Sequence, residues 1–105
     1  SGSTCRFGPR DPVRGTTLLV ASERRALLKL EGRFMIFAAD VGSAAFAPGL
    51  LRHYVGKSHA LTLDQAPGDG TALGADALRW RAVLTIRDAW NQIVFTSPGE
   101  IVCGP

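Results

Sequence analysis

The sequence predicts an all-β fold: a small antiparallel β-barrel or sandwich of about seven short strands, with its termini tied by a disulfide. Three observations predict it. Trp80, Ala82, Leu84 and Ile86 alternate with Arg81, Val83, Thr85 and Arg87, the period of two of a half-buried strand. Turn-forming residues recur at short intervals, at Ser22-Glu23, Glu31-Gly32, Asp88-Ala89-Trp90-Asn91 and Pro98-Gly99. Finally, Cys5 and Cys103 stand almost at the two ends of the chain, with no cysteine between them.

The 105 residues make a single domain, 1–105. Ser1-Gly2-Ser3 reads as an expression scar, and residues 1–4 together form an N-terminal tail. Pro9, Pro12, Gly8 and Gly15 predict irregular structure with little regular pairing from Cys5 to Gly15. Thr16-Thr17-Leu18-Leu19-Val20 is a β-favouring run. After the Ser22-Glu23 turn, Ala26, Leu28 and Leu30 alternate with Leu27 and Lys29. Glu31-Gly32 turns the chain into Phe34-Met35-Ile36-Phe37, which completes a three-stranded meander. Small residues, Ser43 and Pro48 predict a loop or one distorted helical turn from Ala38 to Gly49. Strand character returns at Leu51 to Tyr54 and at His59 to Leu63. Residues 65–76, rich in glycine, predict a long flexible loop. The Trp80 strand then turns at Asp88 to Asn91 and returns through Ile93 to Thr96. Pro98-Gly99 bends the chain before a last short strand, Ile101 to Cys103.

An even number of cysteines at maximal separation predicts a disulfide, and with it an oxidising compartment. Two alternatives stay open: two unpaired buried thiols, or Cys5 as the lipid-modified first residue of a mature lipoprotein. A zinc site is not predicted, because the sequence has no C-x-x-C spacing.

Composition narrows the function. Hydrophobic residues make up 46%, ordinary for a globular core, and no apolar run reaches the roughly 18 residues of a membrane span. The net charge is +3, and the closest basic clusters, Arg24-Arg25 and Arg79-Trp80-Arg81, are too short for a nucleic-acid track. A mild positive charge in an exported protein favours only loose association with anionic polymers. His53 and His59 have no carboxylate at metal-ligand spacing, so no metal site is expected. Asp69 and Asp76 are as well explained by a surface loop as by a weak calcium site. A Ser/His/Asp set drawn from Ser43 or Ser58, His53 or His59, and Asp64 lacks any G-x-S-x-G context. No catalysis and no cofactor are predicted, which leaves surface recognition of a protein.

Several motifs fall in an order that resembles the MliC/PliC family, the periplasmic or membrane-bound inhibitors of c-type lysozyme. Ala26-Leu27-Leu28-Lys29-Leu30-Glu31-Gly32 has the form A-x-L-x-L-x-G, and Gly42-Ser43-Ala44-Ala45 is a serine loop among small residues. Tyr54 precedes Gly56-Lys57-Ser58-His59-Ala60-Leu61, of the form G-K-x-x-A-x-L. The likeness covers roughly the first sixty residues. Ala44-Ala45-Phe46 follows Ser43 where the family form is S-G-x-x-Y. The resemblance implies a bacterial envelope β-barrel that inserts a loop into the lysozyme cleft. Ser43 and Lys57 would meet the catalytic carboxylates, with Gly42 and Tyr54 beside them.

The expected function is therefore a non-catalytic binding protein, periplasmic, outer-membrane-anchored or secreted, whose partner is a protein and in the first instance a c-type lysozyme. The alternative is an envelope lipoprotein or immunity-type protein that binds a different partner through the Trp90 hairpin and the 65–76 loop.

Overall fold

A computed structural model describes residues 4–8, 18–47, 49–66, 71–72 and 78–104. The expectations for Ser1-Gly2-Ser3, for Pro9 to Thr17, for Pro48 and for most of the 65–76 loop, Asp69 and Asp76 included, lie outside these residues.

The strands are β1 (Thr4–Gly8), β2 (Leu19–Ala21), β3 (Arg25–Leu30), β4 (Arg33–Ala39), β5 (Ala45–Ala47), β6 (Leu50–Leu51), β7 (His53–Val55), β8 (His59–Gln65), β9 (Thr71–Ala72), β10 (Leu78–Asp88) and β11 (Ile93–Gly104). Neighbours pair antiparallel in the order β11-β1-β2-β3-β4-β7-β8-β10, and β10 pairs back onto β11. Eight strands thus close a barrel, and closure leaves no sheet edge along its circumference where the pairing is complete. The barrel, not the sandwich, is the architecture. β9 adds a short pairing at the start of β10, and β5 and β6 form a separate two-stranded hairpin.

Local sequence explains the hairpins. Leu30 faces Arg33 across a two-residue loop in which Glu31 (φ 52°) and Gly32 (φ 75°) are both left-handed, the turn whose twist matches flanking strands. At the β10–β11 turn the Asp88 carboxylate accepts the Trp90 and Gln92 N–H groups at 2.9 and 3.0 Å, and Asn91 takes the left-handed position (φ 63°). At the β2–β3 turn, Ser22 N–H donates to the Arg25 carbonyl at 2.9 Å.

Inward residues alternate along each strand and fill the interior. Phe7, Leu19, Leu28, Phe37, Leu61, Leu63, Leu84, Ile86 and Ile101 are all essentially inaccessible. Each such side chain contributes about 1.5–3 kcal/mol on burial, so this filled interior holds the fold together. Tyr54 is the polar member of this core and is fully buried. Its hydroxyl donates to the Ser22 carbonyl at 2.6 Å and accepts the Leu51 N–H at 3.2 Å, tying the β2–β3 turn to the β6–β7 corner. The β5–β6 hairpin packs onto this core, setting Phe46 edge-on against Trp80 with ring centroids 6.1 Å apart, near the Leu78 end of β10. The segment from Ala38 to Gly49 is thus not merely a loop: β4 continues to Ala39, and β5 supplies buried Phe46 and Ala47.

Two further expectations are corrected. The Cys5 end is not irregular: Thr4–Gly8 is a strand paired along its length with β11 and at Cys5, Arg6 and Phe7 with β2, and Cys5 and Phe7 alternate into the core. Pro98-Gly99 does not break the last strand, since β11 runs unbroken through both. Pro98 faces Val83 of β10, and β1 pairing begins only at Glu100, so the missing N–H leaves no described ladder partner unmet on that side. Gly99 is needed because a Cβ there would lie 2.7 Å from Phe7 Cζ and collide with the Gly8 carbonyl oxygen.

Cys5 faces Cys103 directly across the β1–β11 ladder, and the two are joined by a disulfide. No free cysteine remains, so both the unpaired-thiol and the sulfur-lipidated alternatives are set aside. A disulfide of this kind persists in an oxidising compartment. Among the described residues no helix is long and apolar enough to cross a membrane.

Candidate functional site

The outer surface of β3, β4 and β7 carries four of the exposed large hydrophobic residues: Leu27, Phe34, Ile36 and Val55. Cross-strand register builds it in rows. Arg25 faces Ala38, which faces Val55; Leu27 faces Ile36; Lys29 faces Phe34. Phe34 is 67% exposed and Ile36 71%, far above what a strand needs to keep its core face covered, with Leu27 and Val55 beside them also exposed. Adjoining large apolar side chains left in water mark an interaction surface more often than isolated ones do.

Cations border this face. The Lys29 ammonium lies 5.6 Å from the centroid of the Phe34 ring, a cation–π contact that holds the ring's flank. Two grooves run along Ile36 and Phe37. One is lined in part by Arg24, Arg25, Val55 and Lys57. The other, of roughly 500 Å³, is lined by Phe34, Met35, Gly56, Lys57, Ser58 and His59 as well. Neither lining contains a carboxylate. The wall dips here because β7 is only three residues long: Gly56 N–H donates to the His59 carbonyl at 2.7 Å, and the chain turns away through Lys57 and Ser58. Gly56 fits closely against β4, since a Cβ there would lie 3.1 Å from the Phe37 ring.

The residues singled out from the sequence fall in different places. Ser43 and Gly42 sit in a built turn after β4. Ser43 Oγ donates to the Asp40 carbonyl at 2.7 Å, and Gly42 N–H donates to Asp40 Oδ1 at 3.1 Å. Asp40 Oδ2 lies 3.0 Å from His53 Nδ1, and since a carboxylate can only accept, the ring proton sits on Nδ1. The His53 hydrogen bond, followed by that from Gly42, holds the Asp40 carboxyl below its ordinary value of 3.8. Val41, 86% exposed, projects from this turn. Lys57 is exposed too, but at the far end of β7: Asp40 is bonded to His53, whereas Lys57 lies beyond Val55. Ser43 and Lys57 therefore do not share a groove. Tyr54, between them in sequence, works from inside the barrel, its hydroxyl already committed to Ser22 and Leu51.

The imagined Ser/His/Asp set is not assembled either. Ser58 Oγ lies 2.9 Å from Nδ1 of its neighbour His59, but Asp64 is paired with Arg52. The serine nearest the Asp40–His53 pair, Ser43, bonds backbone. Among the described residues no group of three or more His, Cys, Asp or Glu side chains is placed to hold a metal ion. Trp90 is 81% exposed at the tip of the β10–β11 hairpin, with Ile93 and Val94 exposed behind it.

Comparison with known protein families, curated proteins and solved structures finds no match to this chain. The site is read from its own chemistry. Reading the sequence missed Phe34, Ile36 and Leu27 because a run such as Phe34-Met35-Ile36-Phe37 does not disclose which alternate residues face outward. One signal was present: the two-residue Glu31-Gly32 turn fixes Phe34 opposite charged Lys29, and hence on the solvent face.

Proposed function

We propose that the protein is a non-catalytic binding module of the bacterial envelope, and that the Leu27, Phe34, Ile36 and Val55 face receives a protein partner bearing carboxylates. The observation that carries this reading is the pairing of two well-exposed large apolar side chains, Phe34 and Ile36, with grooves lined by Arg24, Arg25 and Lys57 and by no acid. Apolar side chains supply the buried area, while the cations select carboxylates and orient the encounter. The disulfide supports an extracytoplasmic location.

The first partner to test is a c-type lysozyme, whose cleft offers catalytic carboxylates and whose inhibitors the sequence resembles. On this reading Lys57 is the contact to a carboxylate, and the Ser43 turn is a separate contact. A lytic assay with chicken-type lysozyme and micromolar protein tests it. Inhibition that is abolished by Lys57→Glu and weakened by Ser43→Ala supports lysozyme as the partner; full lysis at every concentration removes lysozyme from the proposal.

A second surface is favoured by a separate observation, the exposure of Trp90, Ile93 and Val94 together. There an immunity-type or other envelope partner would dock on the hairpin. Capture from periplasmic extract by wild type, Ile36→Glu and Trp90→Ala decides between the surfaces. A partner lost with Trp90→Ala but kept with Ile36→Glu moves the working surface to the hairpin.

A further inference from the structure

We propose that β4 takes up an extended, acidic segment of its partner as an added strand. This rests on the reading of the Phe34 and Ile36 face as the working surface, and it assigns the backbone a part in recognition.

The hydrogen-bond parity of β4 is fixed by one contact. Ala39 N–H donates to the Arg24 carbonyl at 2.8 Å, so that pair is a bonded one in the antiparallel ladder with β3. Bonded pairs alternate, so Phe37, Met35 and Arg33 also turn their backbone groups to β3, while Ala38, Ile36 and Phe34 turn theirs the other way. On that other side β7 pairs with Ala38 and Ala39 only. Continued in register, Lys57 would meet Ile36, but the turn at Gly56 carries it off and no backbone hydrogen bond joins them. Among the described residues no strand lies beside the N–H and C=O groups of Phe34 and Ile36, which face the roughly 500 Å³ groove, the Ile36 carbonyl with Gly56 close by. The barrel is closed by pairing at one end of β4 and open along the other.

An open edge is a template for another strand. Here the same two residues present the unpaired backbone and the exposed side chains, so an added strand would gain ladder bonds and bury Phe34 and Ile36 in one move. Charge decides the occupant. Lys57 borders the edge, Arg33 begins the strand, and Lys29 lies over Phe34. A second copy of this chain pairing edge to edge about a twofold axis would set these cations against their own duplicates, which is destabilising. A segment alternating carboxylates with β-branched residues meets Lys29 and Lys57 with opposite charge when its carboxylates share their outward face, and its β-branched side chains then turn to the opposite face, the side of Met35 and Phe37.

The test uses the intact, oxidised protein and three short peptides: alternating valine and glutamate, the same with lysine for glutamate, and the glutamate peptide N-methylated at every other amide. Hydrogen exchange is read residue by residue. The glutamate peptide is expected to slow exchange of the Phe34 and Ile36 amides at least tenfold, and the other two are not. Ile36→Pro, which removes an edge N–H but no bond to β3, is expected to weaken the glutamate peptide at least tenfold beyond Ile36→Ala. If that variant melts well below wild type, the N-methylated peptide carries the same comparison.

Equal binding by the glutamate peptide and its N-methylated form overturns strand addition but leaves the surface reading intact. Equal binding by the lysine peptide overturns the acidic occupant. Failure of the glutamate peptide to protect either amide at millimolar concentration overturns the proposal, whatever the lysozyme assay shows. Protection of the two amides with no effect on lysozyme keeps the added strand and discards that enzyme as partner. Concentration-dependent protection without peptide, together with a dimer in sedimentation, overturns it in favour of self-pairing.

Discussion

Removing the disulfide with Cys5→Ala and Cys103→Ala is expected to cost most of what keeps this small barrel folded. The bond closes a loop with a sequence separation of 98. The loop-entropy relation for a closure of that size gives about 16 cal/mol/K, or about 4.7 kcal/mol at 25 °C. Against the 5–15 kcal/mol typical of a domain, that is between a third and nearly all of the stability. Urea unfolding followed by the fluorescence of Trp80, packed against Phe46, reads the change. With a slope of about 1–3 kcal/mol/M, the midpoint should fall by roughly 1.6–4.7 M. The slope itself should rise, because the freed unfolded chain is more expanded and exposes more surface. Phe7→Ala is the contrasting perturbation: it empties a buried site next to the same terminal strands, costs about 3–5 kcal/mol, and should leave the slope unchanged. A loss below about 1 kcal/mol for the cysteine variant, with no change of slope, would refute the reasoning, since it would mean that the ends stay together in the unfolded chain without the bond.

Tyr54→Phe leaves the Leu51 N–H and the Ser22 carbonyl without their buried partner and should destabilise by about 1–3 kcal/mol in the same urea titration. Burial raises the Tyr54 phenol above its ordinary value of 10.0. Its contribution is therefore complete below that value and is lost as pH climbs through the raised one, so the wild type should weaken in alkali more steeply than Tyr54→Phe. Gly99→Ala should cost about 1–3 kcal/mol by driving a methyl into Phe7 and the Gly8 carbonyl, and a cost under 0.5 kcal/mol, roughly that of an ordinary surface change, would show that β1 can move aside. The Asp40 carboxyl is held below 3.8 by His53 and Gly42, so the 40–43 turn is intact above that pH and loosens as pH falls through the lowered value. The Gly42 amide resonance should report a midpoint below 3.8, and Asp40→Asn should abolish the transition.

How much was legible in the sequence depends on the local signal. The β3–β4 hairpin and the β10 strand were readable because alternation, turn residues and strand length all agreed there. β1 was hidden by its surroundings: Cys5 and Phe7 give only two inward positions before Pro9, too few to establish a period of two. The sequence divides β11 at Pro98-Gly99 because proline and glycine signal a bend when read alone. They are harmless here for tertiary reasons, a one-sided described neighbour for Pro98 and the Phe7 ring lying over Gly99. At the candidate site, Lys57 stands out in the sequence only through the family resemblance, while Phe34 and Ile36 read as ordinary strand residues. Their exposure follows from register with β3, and the open edge follows from the early departure of β7 at Gly56; neither is a property of a single segment. The family resemblance pairs Ser43 with Lys57, yet β7 holds them at its opposite ends.

The covalent tie between the first and last barrel strands also sets how the domain would carry a mechanical load. Tension applied through the residues flanking Cys5 and Cys103 runs across one sulfur–sulfur bond and never reaches the ladders between them. The barrel is out of the force path, and a sequence separation of 98 stays stored as hidden length. A reductant would change the response at a stroke: the load would shift onto the β1–β11 pairing, and yielding there would release about 320–350 Å of chain.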